Sequence, residues 1–218
     1  MRQYMDIVAE HAVAKLGDWT YDPSLIGAVS KFIFDQNWTK VGDMTIANVI
    51  YDIARHAHAA DYVVGQLQPV ADQGKNGANA GKMEFGIVLH LQMSAVANPG
   101  FRDKGKVLGY PNLHKVNSIA VKQKMRGLGI AKQMYAWLVE QKVLILGDRE
   151  QYFGARRLWA ALSRTTDVVV DIIDYDAETV IARDVTLHHG RYDADFDQRV
   201  WSYDEDKQQI RLVLRNVI

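Results

Sequence analysis

The residues with the clearest capacity for chemistry form a glycine-bearing turn between two different periodic patterns. A β-type run ends at Val121, and a helical run begins at Ile130. Arg126, Gly127 and Gly129 lie between them. A turn that opens a helix leaves backbone N–H groups free at the positive end of the helix dipole, so it can bind a phosphate or a pyrophosphate. The surrounding cations are Lys122, Lys124, Arg126 and Lys132.

The spacing of these residues distinguishes between phosphate-binding motifs. A Walker loop, G-x-x-x-x-G-K-[ST], is absent, and the run from Gly127 to Lys132 supplies only the first half of a dinucleotide fingerprint. The pattern that fits is R-x-x-G-x-A, formed by Arg126, Gly129 and Ala131, with a β-strand valine before the arginine. An ordinary strand–turn–helix that uses glycine for its turn is the alternative.

This pattern resembles the coenzyme A signature of the GNAT superfamily of acetyl-CoA-dependent N-acyltransferases, usually [Q/R]-x-x-G-x-[G/A]. The resemblance covers about residues 80–185 and implies an α/β (α+β mixed) fold. Its central mixed sheet would have splayed parallel strands flanked by helices. We expect one domain over 1–218, with an N-terminal helical portion at 1–40. The implied function is transfer of an acetyl group from acetyl-CoA to a primary amine by direct attack in a ternary complex.

The resemblance also implies which residues bind the cofactor. Backbone groups in the strand would line the pantetheine and supply an oxyanion donor, and backbone N–H groups of the turn would hold the pyrophosphate, with a lysine beside them. The strand residues are Ile119, Ala120 and Val121. The turn residues are Lys124, Arg126, Gly127, Leu128, Gly129, Ile130 and Ala131.

The second half of the family pattern departs from expectation. The family often has N-x-x-A-x-x-x-Y here, with the tyrosine protonating the leaving thiolate. In this chain Tyr152 takes the asparagine place and Trp159 the tyrosine place. Tryptophan cannot act as a general acid, so Tyr152 is the candidate acid, and Asp148 and Glu150 are the candidate bases. Asp148 could equally be a helix N-cap.

Composition narrows the class of protein. The chain has 218 residues, no cysteine and a net charge of zero, with 26 basic and 26 acidic residues. It lacks an apolar run long enough for a transmembrane helix, and its first residues do not form a secretory signal. We expect a cytoplasmic protein without a membrane partner. The neutral charge disfavours a nucleic-acid partner but leaves it open.

The expected partner is a small-molecule or protein amine, and a homo-oligomer is possible. No metal is expected, because the two histidine pairs lack further ligands at suitable spacing. These pairs are His56 with His58, and His188 with His189. An acidic segment at 193–206 could attract a cationic acceptor or be a solvated loop.

Periodicity supplies the elements that would position the turn. Helices are expected at 4–16 and 22–35, and again around 155–162. Strands are expected at 82–93, 116–121, 143–146, 168–174, 179–187 and 208–218. The stretch 45–67 shows both helical spacing and alternation, and we favour strands at 48–55 and 61–67 over a helix. The segments 70–82 and 95–111 are expected to be loops, because they contain glycine and asparagine without periodicity.

Two rival functions remain beside the transferase. A GNAT-fold protein without transfer activity, serving as a binding or virion component, is favoured by Trp159. An enzyme that modifies a nucleic-acid base is the other. The stretch from Asp148 to Trp159 is also similar to GNAT-like proteins carried by bacteriophages.

Overall fold

The computed structural model describes residues 38–69, 83–97, 100–147, 153–187 and 209–217. In chain order the strands are β1 (Trp38–Ile46), β2 (Val49–His56), β3 (Ala60–Pro69), β4 (Met83–Ala95), β5 (Gly100–Asp103), β6 (Lys106–Gly109), β7 (Leu113–Val121), β8 (Leu144–Leu146), β9 (Val168–Asp174), β10 (Thr179–Ala182) and β11 (Ile210–Asn216). The α-helices are α1 (Ile130–Glu140) and α2 (Phe153–Leu162), and a 3₁₀ helix covers Gln123–Met125.

The chain divides into two compact units. The first contains the residues up to Met93 together with Ser118–Ala131. The second contains Ser94–Asn117 and Lys132–Ile218. Strands β4 and β7 and helix α1 therefore contribute residues to both units.

The first unit is an antiparallel meander in the strand order β1-β2-β3-β4. Ala47 and Asn48 join β1 to β2 with φ of 48° and 65°, as a two-residue hairpin turn requires. The end of β7 lies beside β4, because the backbone N–H of Lys122 donates to the carbonyl of Val88 at 2.9 Å. This contact fixes the position at which the chain leaves the sheet for the turn.

The core of the first unit comes from the apolar positions of its inner strands. Ile53, Val64 and Leu89 are each 0% exposed and occupy neighbouring strands in register. Full burial of one such side chain is worth about 1.5–3 kcal/mol. These buried contacts stabilise the strands beside which β7 ends and the turn begins.

The second unit mixes parallel and antiparallel pairs. Strand β7 is parallel to β8, and β11 is antiparallel to both β8 and β9. Strand β10 is antiparallel to β9 and touches β5 at one parallel position. Strands β5 and β6 form a hairpin around Lys104 and Gly105, which have φ of 48° and 83°. The apolar cluster of this unit consists of Phe101, Tyr110, Leu113, Leu146, Ile173 and Val213.

A buried ionic cluster ties the strands of the second unit together. The carboxylate of Asp171, on β9, is 0% exposed and accepts from Arg215 Nε at 2.7 Å and from the Tyr110 hydroxyl at 2.9 Å. Its other oxygen accepts from Arg215 Nη2 at 3.1 Å and from the backbone N–H of Asp184 at 3.0 Å. Arg215 also pairs with the exposed carboxylate of Asp184. Every oxygen of the buried acid is thus satisfied.

The expectation of an α/β fold with a GNAT-like, helix-flanked sheet is wrong. The described residues form eleven strands in mixed pairing and only two α-helices. The physical reason is that hairpins fill stretches that carry no helical period, including 95–111, which contains β5 and β6 instead of a loop. The two N-terminal helices and the loop at 70–82 lie outside the described residues, and the single-domain expectation stays a prediction.

Several local predictions are confirmed. The alternating stretches at 48–55, 61–67 and 82–93 are strands, and so are 143–146, 168–174 and the end of the chain. The helical spacing around 155–162 corresponds to α2. At 179–187 the expected strand is shorter, because β10 ends at Ala182.

Removing the buried carboxylate should destabilise the second unit strongly. We expect Asp171→Asn to lower the free energy of unfolding by about 3–5 kcal/mol, because it leaves the Arg215 guanidinium buried without its counter-charge. The control Asp184→Asn removes a carboxylate that is 60% exposed, and we expect a loss of about 0–1 kcal/mol. Urea titrations measure both losses, and equal losses would contradict the structural role of Asp171.

The same cluster predicts a stability change at alkaline pH. Burial, reinforced by the Asp171 carboxylate, raises the pKa of Tyr110 well above its ordinary value of 10.0. The unfolded state therefore releases this proton first, and stability should fall as the pH rises above about 10. Thermal melts from pH 8 to 11 should show a shallower decline for Tyr110→Phe than for wild type. Parallel declines in the two proteins would contradict the role of the Tyr110 proton.

Candidate functional site

The glycine turn is connected to the sheet by a short series of backbone hydrogen bonds. After β7 the chain enters the 3₁₀ helix, where the N–H of Met125 donates to the Lys122 carbonyl at 2.8 Å. The N–H of Arg126 then donates to the Gln123 carbonyl at 3.1 Å. These bonds occupy the N–H groups of Met125 and Arg126.

Two glycines give the turn its shape. Gly127 has φ of 82° and Gly129 has φ of 77°, both in the left-handed region that side chains with a Cβ disfavour. A Cβ built on either residue would meet no atom of the described residues within 4 Å. The backbone conformation, not crowding by protein atoms, therefore demands glycine here. The open space beside both residues allows a ligand to approach the backbone closely.

The turn leads directly into the N-terminus of α1. The side chain of Ile130 is 2% exposed and anchors the start of the helix. The first turn of α1 contains no acidic residue, so no carboxylate of its own neutralises the partial positive charge there. The first N–H groups of a helix have no intrahelical acceptor. This end of α1 is therefore suited to a phosphate group.

The cations of the turn remain accessible to a ligand. Arg126 is exposed, and its Nε donates to the carbonyl of Val121 at 3.2 Å, which folds the side chain back along the strand end. Lys124 is exposed too. Leu128, between the two glycines, is 45% exposed and makes the turn protrude. A multiply charged anion over the turn would meet both positive side chains.

The strand residues expected to line pantetheine occupy the last part of β7. Ala120 is 7% exposed, whereas Ile119 and Val121 are half-buried. The parallel pairing of β7 with β8 covers Leu113 to Lys115. Among the described residues, this pairing does not extend to 119–121. The expected cofactor residues thus form one continuous strand, turn and helix start within the first unit.

The candidate catalytic residues Asp148, Glu150 and Tyr152 lie outside the described residues, so their assignments stay predictions. Trp159, at the family's tyrosine position, is 3% exposed. Its ring packs edge-on against Tyr135, with ring centroids 6.2 Å apart. Trp159 is therefore a core residue of the second unit.

His90 is a candidate that the sequence interpretation did not identify. It lies on β4 opposite Val63 of β3 and is half-buried. Burial lowers its pKa below the ordinary 6.5, and the Asp61 carboxylate opposes that shift in part. Burial therefore favours the neutral form of the ring. In the sequence, this candidate was indicated by a histidine on the more polar face of an alternating strand.

The second unit has a separate polar cleft. The cleft measures about 270 Å³ and is lined by Val169, Arg183, Asp184, Arg215 and Val217. Arg215 is already held by Asp171 and Asp184. In the sequence, this ionic cluster was indicated by an acidic residue within the otherwise apolar run at 168–173. We assign the cleft a structural origin, because its most buried charge is neutralised within the protein.

Neither metal ligands nor a membrane span is found in the described part of the chain. Within those residues, no three His, Cys, Asp or Glu side chains gather at metal-binding distance. His56 and His58 stack edge-on, with ring centroids 6.0 Å apart, and His188 and His189 lie outside the described residues. No described helix is long and apolar enough to cross a membrane.

Comparison with known proteins identifies no relative. No family model, no curated protein and no solved structure matches this chain. A functional interpretation therefore depends on the residues of the turn and on their geometry.

The left-handed backbone at Gly129 predicts a specific stability effect. Gly129→Ala should lower the free energy of unfolding by about 1–2 kcal/mol, because a Cβ disfavours positive φ. Gly109→Ala is the control: its Cβ would also meet nothing within 4 Å, and no left-handed φ is present there. Urea titrations should show little change for the control. Equal effects of the two substitutions would mean that the turn does not depend on its φ.

Proposed function

We propose that this protein binds acetyl-CoA along residues 119–131 and transfers the acetyl group to a primary amine by direct attack in a ternary complex. The observation that supports this most is the turn itself. The motif R-x-x-G-x-A coincides with two left-handed glycines, open space beside them and an acid-free helix N-terminus. We place the activity in the cytoplasm, in keeping with a chain that has no cysteine for disulfides.

The turn would bind the anionic end of the cofactor. Coenzyme A carries a pyrophosphate, and the N–H groups from Gly127 to Ile130 can donate to its oxygens. Lys124 and Arg126 would add charge-assisted contacts from exposed positions. Glycine at 127 and 129 keeps side chains away, so that the phosphate can approach the backbone. The two glycines, the backbone N–H groups and the exposed cations of the turn would thus all contribute to binding.

The strand before the turn would bind the rest of the cofactor. Pantetheine has amide groups that can pair with a strand backbone, and Ile119 to Val121 form the last part of β7. A backbone N–H in this stretch would stabilise the oxyanion that forms when the amine attacks the thioester. The family resemblance of the turn supports the same assignment.

The chemistry needs a group that accepts the proton of the amine and a leaving thiolate. Asp148 and Glu150 are proposed as bases and Tyr152 as the acid that protonates the thiolate. A thiol pKa near 8.5 makes the coenzyme A thiolate a fairly good leaving group. General acid help contributes about 10²–10⁴-fold. Transfer would therefore continue slowly without such an acid.

A second function is supported by one observation. Trp159 is packed in the core at the position where the family often has its acid. A protein that binds coenzyme A without transferring an acyl group would have no need of an acid at this position. Binding of coenzyme A without release of free thiol from acetyl-CoA, in the presence of amines, would favour this alternative.

The cofactor site is tested by paired glycine variants. Gly129→Asp should place a carboxylate where the pyrophosphate would lie, and Gly105→Asp is the matched control. Both positions have positive φ, and a Cβ at either one would meet nothing within 4 Å, so the backbone strain is alike. Coenzyme A at about 100 times its dissociation constant should stabilise wild type and Gly105→Asp by about 2.7 kcal/mol. Gly129→Asp should lose most of that stabilisation.

Thermal shift measurements with coenzyme A, acetyl-CoA and NAD distinguish the outcomes. NAD tests whether any pyrophosphate suffices. A wild-type protein that coenzyme A does not stabilise would overturn the proposal. Equal losses in the two aspartate variants would show that the cofactor binds elsewhere.

A further inference from the structure

The hairpin of β5 and β6 forms an open edge of the strand arrangement in the second unit. Strand β6 pairs with β5, and within the described residues no further strand lies on its other side. The side chain of Val107, on β6, is 73% exposed. Lys106 and Gly109 are exposed as well. This edge of the second unit is therefore accessible from solvent.

The backbone of Val107 points toward this open edge. Arg102 and Val107 lie opposite each other in the β5–β6 pair. The N–H of Arg102 donates to the carbonyl of Glu178, just before β10, at 2.7 Å, so it points away from β6. In an antiparallel pair, two opposite residues either exchange both hydrogen bonds or direct these groups away from each other. The N–H and C=O of Val107 therefore point away from β5 and can pair with an added strand.

The hairpin is basic. Residues 100–109 contain the cations Arg102, Lys104 and Lys106 and a single acid, Asp103, which gives a net charge of +2. All three cations are exposed. In the part of the chain that the structure describes, none of them forms an ion pair. Their charges are therefore available to a partner at the edge.

These charges determine which kind of strand can be added. A second copy of β6 would bring together two hairpins that each have a net charge of +2, and like charges on neighbouring strands repel. Carboxylate side chains would instead be attracted, because neighbouring strands are only about 4.8 Å apart. Phe101, the one aromatic residue of 100–109, is 2% exposed. The hairpin therefore offers no exposed ring on which a nucleic-acid base could stack.

We propose that β6 is a docking edge for an extended acidic peptide segment of a partner protein, which adds to the sheet as a further strand. The peptide backbone would pair with the N–H and C=O of Val107, and its carboxylates would lie near Arg102, Lys104 and Lys106. In this mode of recognition, backbone pairing provides affinity, and the side chains determine which strands are accepted. The hairpin belongs to the second unit and the glycine turn to the first. This inference does not depend on the proposed transferase function.

Paired variants of the full chain at Val107 test this assignment. Val107→Pro removes the outward N–H, and proline is tolerated on an edge strand whose N–H faces solvent. Val107→Thr is the matched control, because threonine is also β-branched and keeps the N–H. Fluorescence anisotropy measures the binding of a labelled octapeptide of alternating Glu and Val. We expect wild type and Val107→Thr to bind it alike, and Val107→Pro to bind it about tenfold more weakly, because a backbone hydrogen bond is lost.

Two control peptides separate backbone pairing from charge. An octapeptide of alternating Glu and Pro keeps the carboxylates but has no N–H at its prolines. One of alternating Lys and Val keeps the N–H groups but reverses the charge. We expect both to bind far more weakly than the Glu-Val peptide. Raising the ionic strength from about 0.1 M to about 1 M shortens the Debye length from about 10 Å to about 3 Å, and should weaken binding of the Glu-Val peptide.

Several results would overturn the proposal. Equal binding of the Glu-Val and Glu-Pro peptides would mean that charge alone attracts the ligand. No binding of the Glu-Val peptide to wild type, or equal binding to Val107→Pro, would exclude strand addition at this edge. A wild-type dimer that Val107→Pro dissociates would make a second copy of this chain the occupant. Amide NMR of wild type needs no variant: the Val107 N–H signal should shift at saturation with the Glu-Val peptide, and an unchanged signal would also overturn the proposal.

Discussion

The turn between β7 and α1 depends on a backbone constraint: residues 127 and 129 must both adopt the left-handed conformation. Their φ angles of 82° and 77° are open to glycine at little cost. This conformation lets the chain pass within a few residues from the end of β7 into α1. The first N–H groups of the helix, at the positive end of its dipole, have no intrahelical acceptor. The affinity for phosphate that we propose is a consequence of this geometry, to which the lysines and Arg126 add charge.

The two units use arginine in opposite ways. Arg215 is buried on β11, and its guanidinium pairs with the carboxylates of Asp171 and Asp184. Its charge therefore helps to hold these strands together. Arg126 is exposed beside the turn, where its Nε donates to a backbone carbonyl. A buried guanidinium that is already paired with carboxylates attracts a ligand only weakly. An exposed guanidinium beside a helix N-terminus without acidic residues can attract an anion. This contrast favours the turn over the polar cleft of the second unit as the binding site.

The sequence was informative where the period was long and regular. Alternation over 82–93 predicted β4, and the change of period after Gly129 predicted α1. It failed for the hairpin of β5 and β6, because strands of four residues with lysine and glycine carry no readable alternation. The predicted fold class was wrong for a related reason, because the fold of the whole chain was inferred from a single motif. The partners of Asp171 depend on pairing between distant strands, which a local pattern cannot indicate.

Backbone amide NMR of the protein during a titration with coenzyme A tests the central claim most directly. The account predicts that the largest shift changes fall on the N–H groups of residues 127–130, because these would donate to the pyrophosphate. Smaller changes should follow at 119–121. Titration with pantetheine, which lacks the pyrophosphate, should leave the glycine signals nearly unchanged. Saturable binding of coenzyme A with the amides of 127–130 unperturbed, or with the changes centred on the cleft around Arg183, would contradict the account.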